Sequence, residues 1–243
     1  MTKVFDGRRR ADPLVALDGI DLTVDTNEFV TLIGRSGCGK STLLRLIAGL
    51  LPPSAGSVLV DGVPVTGPRR DVSFMFQQPA LLPWRSVLAN VLLPIEIFGL
   101  DQRSYKNHAI ELLDLVGMKG FEKRLPRELS GGMRQRVSLC RSLIQSPTVM
   151  LMDEPFSALD ALTRTELSEE LQRVHRELET TVVFVTHSID EAVLLADRVV
   201  VLSPRPGRVR SIVDVSVPRP RVPGVEVAKV ADELHELFRG VHG

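Results

Sequence analysis

The chain is expected to adopt an α/β fold: a mostly parallel sheet, a small antiparallel β part near the N-terminus and an inserted α-helical subdomain. Three observations predict the parallel sheet and its helical insertion. Short apolar runs at 29–33, 149–152, 182–185 and 199–202 read as buried strands and alternate with helical periodicity. A glycine-rich turn directly follows the first run and opens a helical segment. From 78 to 145 the pattern is helical instead.

Taken in order, Phe29, Val30, Leu32 and Ile33 make the first strand, and Leu43, Leu44, Leu46 and Ile47 mark the helix over 40–48. Gly49, Pro52 and Pro53 stop that helix. Runs at 58–60 and 72–76 predict two more strands, set apart by the turn pairs Asp61-Gly62 and Gly67-Pro68. In the helical stretch, Ile110, Leu112, Leu113, Leu115 and Val116 are spaced as one buried face. Alternation then resumes with helices over 162–178 and 189–196 between the remaining strands. Ser203-Pro204-Arg205-Pro206-Gly207 is a connector, 209–217 alternates as an edge strand does, and 225–238 fits an amphipathic helix.

Composition narrows the function. The 243 residues carry 30 basic and 30 acidic side chains, so no basic excess points to nucleic acid. No stretch reaches the roughly 18 consecutive apolar residues of a spanning helix, and the most apolar segment, 87–100, is broken by Asn90, Pro94 and Glu96. The basic start, with Lys3 and Arg8–Arg10, lacks the apolar region of a signal peptide. The two cysteines, Cys38 and Cys140, lack disulfide or C-x-x-C spacing, which fits a reducing cytoplasm.

Gly34-Arg35-Ser36-Gly37-Cys38-Gly39-Lys40-Ser41 matches G-x-x-x-x-G-K-[ST] without interruption. Gly37 and Gly39 let successive N–H groups turn inward, and the following helix adds its positive end. Lys40 is expected to neutralise the β- and γ-phosphates of ATP, and Ser41 to place its hydroxyl on Mg²⁺. The run at 149–152 ends in Asp153 and Glu154, whose adjacent side chains point to opposite faces and can take different tasks. Between the two lies Leu129-Ser130-Gly131-Gly132-Met133, a hydroxyl and two side-chain-free residues at a helix start, a second anion-binding arrangement.

This ordered set resembles the ATPase subunit of an ATP-binding cassette (ABC) transporter, over nearly all of the chain. The resemblance implies one ATPase domain over 1–243: a P-loop NTPase core of 1–77 and 146–203, a helical subdomain over 78–145 bearing the signature, and an extension over 204–243. It implies that Asp153 holds Mg²⁺ and Glu154 activates water, with Gln77 at Mg²⁺ or the lytic water and Gln78 as the alternative one residue on. His187 matches the switch histidine. Residues 157–160 match the D-loop, which places Asp160 at the nucleotide with Thr42 and the P-loop. Ser130, Gly131 and Gly132 would cover the ATP held by a second copy, giving a head-to-tail homodimer.

Phe5 is the aromatic the resemblance assigns to adenine, although the strand that normally precedes it is missing, only residues 1–4 lying upstream. Met133 stands where glutamine is commoner. The segments 76–85, 129–136 and 203–208 look like those of nitrate, sulfonate, taurine and bicarbonate importers. Expected partners are a transmembrane permease, docked near 77–85 where Leu81, Leu82, Pro83 and Trp84 offer apolar side chains unless those four belong to the core of the helical lobe, and indirectly a periplasmic or lipoprotein substrate-binding protein. Such a subunit works at the cytoplasmic face of the membrane and binds no nucleic acid. A soluble ABC-type ATPase of DNA repair or translation is the alternative, but those usually carry a long coiled-coil insertion or two cassettes, and no long heptad tract occurs here. A P-loop kinase or GTPase would leave the signature unexplained.

Overall fold

The computed structural model describes residues 1–6 and 13–239, so Arg8–Arg10 lie outside the described residues. The chain begins with strands β1 (Lys3–Phe5), β2 (Leu14–Leu17) and β3 (Phe29–Ile33), helix α1 (Lys40–Ile47) and the hairpin β4 (Leu59–Val60) and β5 (Val63–Pro64). It continues through β6 (Val72–Met75), α2 (Val87–Val91), α3 (Leu93–Ile97), α4 (Gln102–Leu115), α5 (Gly131–Leu143), β7 (Val149–Asp153) and α6 (Ala161–Leu178). β8 (Thr181–Val185), α7 (Ile189–Leu195), β9 (Arg198–Leu202), β10 (Val209–Asp214) and α8 (Val225–Arg239) complete it. Two units result: residues up to Arg69 with those from Thr181 onward, and Arg70–Thr180.

In the first unit β3 lies between β8 and β9, parallel to both, with Phe29 opposite Val182 and Val30 opposite Arg198. All five of its residues are buried, as a strand covered on both faces requires. The rings of Phe29 and Phe184 pack 5.8 Å apart. β10 adds an antiparallel edge beside β9 and ends at Asp214, short of the expected 217. Arg221 donates to the carbonyls of Val193 and Ala196 at the end of α7, and Arg219 to that of Leu195. Burial, with the neighbouring Arg219 charge, pulls the Arg221 pKa down to about 10, while the Asp197 carboxylate 4.0 Å away opposes that shift and the carbonyls satisfy its N–H groups.

The strand leading to Phe5 is present in shortened form as β1, three residues long with Phe5 its last. It pairs antiparallel with β2, Phe5 opposite Leu14. Three residues suffice because the other side is also held: Thr2 N–H donates to Ala55 O at 2.8 Å and Val4 N–H to Ser54 Oγ at 3.0 Å.

In the second unit β6 and β7 pair parallel, Val72 opposite Val149, and α5 packs on β6 and against α2, α4 and α6. The buried stripe of α4 and its end runs through Ala109, Leu112, Leu113 and Val116, an i, i+3, i+4, i+7 set. Ile110, expected on that face, is 36% exposed, because one residue beyond 109 turns it about 100° off the stripe. Asn90, which interrupts the apolar run of the sequence, is fully buried. Its amide donates to the carbonyls of Leu82, Arg85 and Ser86 and accepts from Leu82 N–H, so it organises the turn before α2 instead of breaking a helix.

Glu170 on α6 is buried between Arg136 of α5 at 3.3 Å and Arg173 at 3.8 Å, and burial raises its pKa. Arg136 also donates to the Val116 carbonyl at 2.7 Å, tying α5 to the end of α4. Cys38 and Cys140 are both free and buried, and burial pushes the Cys140 thiol up, away from reactivity. Among the described residues no helix is long and apolar enough to cross a membrane.

Candidate functional site

The expected site residues fall into two sets, one in each unit. In the first unit the P-loop leaves the buried end of β3 at Gly34 and enters α1 at Lys40. Gly39 is the N-cap, with φ +104° and no side-chain cap. An L side chain is strained at that φ, and a Cβ there would stand 2.6 Å from Leu17 Cδ2. The first amides of a helix have no internal acceptor, so a start without a capping side chain leaves them for an anion.

Lys40 is only 6% exposed. Its ammonium donates to Gly34 O at 2.7 Å and Arg35 O at 3.3 Å and lies 3.9 Å from Cys38 Sγ. The cation thus folds over the loop whose ligand it is expected to meet. Ser41 and Thr42 follow in the first turn, half-buried, while Arg35, Ser36 and Gly37 are exposed.

His187 stands exposed between β8 and α7. Its neighbours are fixed: Thr186 Oγ1 donates to Glu191 Oε2 at 2.5 Å and accepts from Ser188 N–H at 3.0 Å, while Ser188 Oγ caps Glu191 N–H. Thr186 and Glu191 are positioning residues that sequence reading missed. The signal available was an acid in the first turn of α7, three residues after a serine. Phe5, half-buried at the end of β1, carries the Lys3 ammonium 5.2 Å from its ring centroid.

In the second unit β7 delivers Asp153 as its last residue, and Glu154 follows in a left-handed conformation, φ +47°. Gln77, exposed just past β6, donates from Nε2 to Ser157 Oγ at 2.9 Å, and Ser157 Oγ donates to Glu154 O at 3.0 Å. The structure therefore brings Gln77 and the Glu154 backbone into one hydrogen-bonded chain.

A third residue missed by sequence reading, Gln135, supports that chain. It is 2% exposed, and its Nε2 donates to the carbonyls of Pro155 and of Gln77. Gly132, Gln135 and Leu139 lie along the buried side of α5, so an amide on an apolar face was the available signal. Ser130 caps α5, its Oγ accepting from Met133 N–H at 3.2 Å, and a Cβ on Gly132 would lie 2.5 Å from Thr163 Cγ2. Asp160 caps α6 through Thr163 N–H and Thr163 Oγ1, bonds that hold its carboxyl below the usual range.

The donor chemistry fits a nucleoside triphosphate: a helix start free of a capping side chain, a buried lysine and a loop whose glycine takes a conformation other residues resist. Ser41, Gln77 and Asp153 offer oxygen atoms, the donors a hard divalent cation takes. Among the described residues no group of three or more His, Cys, Asp or Glu is placed to hold a metal.

Comparison with known proteins agrees. Residues 17–157 match the family described as ABC transporter. An uncharacterised ABC transporter ATP-binding protein of Methanocaldococcus jannaschii is 50% identical over 91% of this chain and 82% of its own. A nitrate import ATP-binding protein of Synechocystis is 42% identical over 99% of this chain and 93% of its own. For a taurine import ATP-binding protein of Burkholderia thailandensis the identity is 48%, over 85% and 78%. Among solved structures, a dimeric post-hydrolysis state of an ATP-binding cassette bound to ADP and Pi superposes with a TM-score of 0.75 at 31% identity, covering 89% of this chain and 97% of that one. A family match across more than half of the sequence, joined by relatives this similar along most of their length, shows that the chain belongs to the ABC transporter family, as a subunit that binds and hydrolyses ATP.

Proposed function

We propose that this subunit powers import of a small anion such as nitrate, taurine, another sulfonate or bicarbonate, working as a head-to-tail homodimer at the cytoplasmic face of a membrane permease. The relatives that import nitrate and taurine carry this reading and favour transport over a soluble repair or translation ATPase. Trp84, 73% exposed beside Pro83 on the loop before α2, is the apolar side chain this reading sets against the permease. Leu81 and Leu82 are half-buried and anchor that loop. A periplasmic or lipoprotein binding protein would present the anion to the permease, and no residue of this subunit need touch the cargo.

In this reading Lys40 and the amides of residues 37–42 bind the phosphates, and Phe5 stacks on the adenine. Ser41, Asp153 and Gln77 would hold Mg²⁺, which when bound neutralises phosphate charge. Glu154 accepts the proton of the attacking water, while Gln77 and His187 orient the reacting groups near the γ-phosphate. Ser130, Gly131 and Gly132, with Asp160 beside them in the D-loop, close over the nucleotide of the opposite copy. Closure on two ATP molecules and reopening after hydrolysis would transmit motion to the permease.

Glu154→Gln tests this. The amide keeps the shape and loses the base, so hydrolysis should fall at least about a hundredfold. Bound, unhydrolysed ATP should then favour the dimer by mass action. Light scattering with ATP and with ADP reads the dimer, and ATP-driven uptake of labelled nitrate and taurine, measured with the permease in vesicles, reads import. A variant that stays monomeric in saturating ATP, or hydrolyses it normally, rules out this role for Glu154. A wild type that takes up none of these anions rules out the import class.

A further inference from the structure

The segment Ser203–Arg208 joins β9 to β10 and packs against the P-loop. Ser203 closes the segment on itself: its N–H donates to Arg208 O at 2.9 Å, its Oγ donates to Pro206 O at 2.9 Å and accepts from Arg208 N–H at 3.0 Å. Arg208 grips the Asp18 carboxylate at 2.5 and 3.0 Å. Gly207 N–H donates to Ala16 O, and Gly207 O accepts from Asp18 N–H. The closed segment is thereby fixed along the end of β2.

From this fixed base it touches the P-loop at two points, and Leu202 just before it adds a third. A Cβ on Gly207 would overlap the carbonyl oxygen of Cys38, so only glycine lets the two backbones lie this close. Arg205 Nε donates to Gly37 O at 3.2 Å. Gly34 sits where a Cβ would be 3.1 Å from Leu202 O. Gly34, Gly37 and Cys38 are therefore supported by the chain between 202 and 207.

A phosphate-binding loop turns its N–H groups toward the anion, which leaves its carbonyl groups to find donors elsewhere. Arg205 supplies one at Gly37, two residues before the left-handed Gly39. We propose that the 203–208 segment is a brace for the phosphate-binding loop and that Arg205 is its positioning residue, holding Gly37–Gly39 ready before nucleotide arrives. A loop already ordered binds more tightly because less freedom is lost on binding. Arg205 bonds a carbonyl group and takes no part in the chemistry. The proposal rests on the reading of the P-loop as the ATP site.

The test compares Arg205→Ala, Arg205→Gln and Lys40→Ala in the full chain, by calorimetric titration with ATP, steady-state kinetics and thermal melting. Arg205→Ala should raise the Kd and KM for ATP by about 3- to 10-fold, the size of one lost hydrogen bond. Its kcat and Tm should stay at wild-type values. Arg205→Gln keeps an N–H donor without the charge and should recover most of the affinity. Arg205→Ala with wild-type Kd and KM overturns the brace. So does an affinity loss that Gln fails to recover, or one accompanied by a fall in Tm. Lys40→Ala binding ATP as the wild type does would instead overturn the P-loop reading, which keeps the two failures distinguishable.

Discussion

Helices α1 and α5 both begin beside glycines, yet they begin differently. α1 starts on Gly39, left-handed and without a side-chain cap. α5 starts on Ser130, whose extended backbone and hydroxyl already serve Met133 N–H. The first start has no capping side chain of its own, which leaves its positive end open to a ligand. The second is complete within its own chain, and only the remaining capacity of the hydroxyl and the positive helix end are left to offer. In the proposed reading, capping alone would tell the primary phosphate site from the secondary one. The difference accords with the proposal that Ser130 meets a nucleotide another copy already holds.

The sharpest way to break this comparison is Gly39→Ala. With φ at +104° and Leu17 Cδ2 2.6 Å from the new methyl, the substitution should cost about 1–3 kcal/mol and abolish ATP binding. Thermal melting and calorimetric titration check it, and retained wild-type affinity would show that the left-handed start is not what the phosphate needs. A smaller and more discriminating effect is expected at Ser130. Ser130→Asp preserves the cap, so Tm should hold, while a carboxylate facing phosphate should cut turnover at least about tenfold. Ser130→Ala should do the opposite in part, lowering stability by about 1 kcal/mol through the lost cap. Phosphate-release assays beside melting curves separate the two, and an Asp variant with full turnover would show that α5 meets no anion. The smallest effect belongs to Asp101, which caps α4 through Arg103 N–H at 3.1 Å and has no role in the proposed site. Asp101→Ala should cost about 0.5–1 kcal/mol with unchanged turnover, measured in the same two assays.

Much of the fold was legible because strong local signals and tertiary need coincide. β3 forms over the run that reads as a buried strand, and α1 follows the loop motif that demands a helix after it. What escaped notice depends on partners far along the chain. β1 forms through its pairing with β2 and its bonds to Ser54 and Ala55, and nothing within residues 3–5 announces it. Asn90, Gln135, Thr186 and Glu191 are buried polar residues, which local patterning treats as interruptions but which burial permits once their hydrogen bonds are made. The site motifs were readable because each must satisfy a phosphate-scale geometry locally, whereas the packing of 203–208 against the P-loop is set by Asp18 and Ala16.

The left-handed turn at Glu154 has an evolutionary consequence. For a side chain with a Cβ this conformation costs about 1–2 kcal/mol relative to the right-handed one, and glycine would occupy it without strain. Sequence and backbone disagree at this residue, a point of local frustration that it shares with Ala80 and Glu179 among other left-handed positions. In the proposed role of Glu154 as the base, selection for thermal endurance alone would drift toward glycine here, and selection for turnover would draw the acid back. The carboxylate marks where heat resistance and turnover pull one codon in opposite directions.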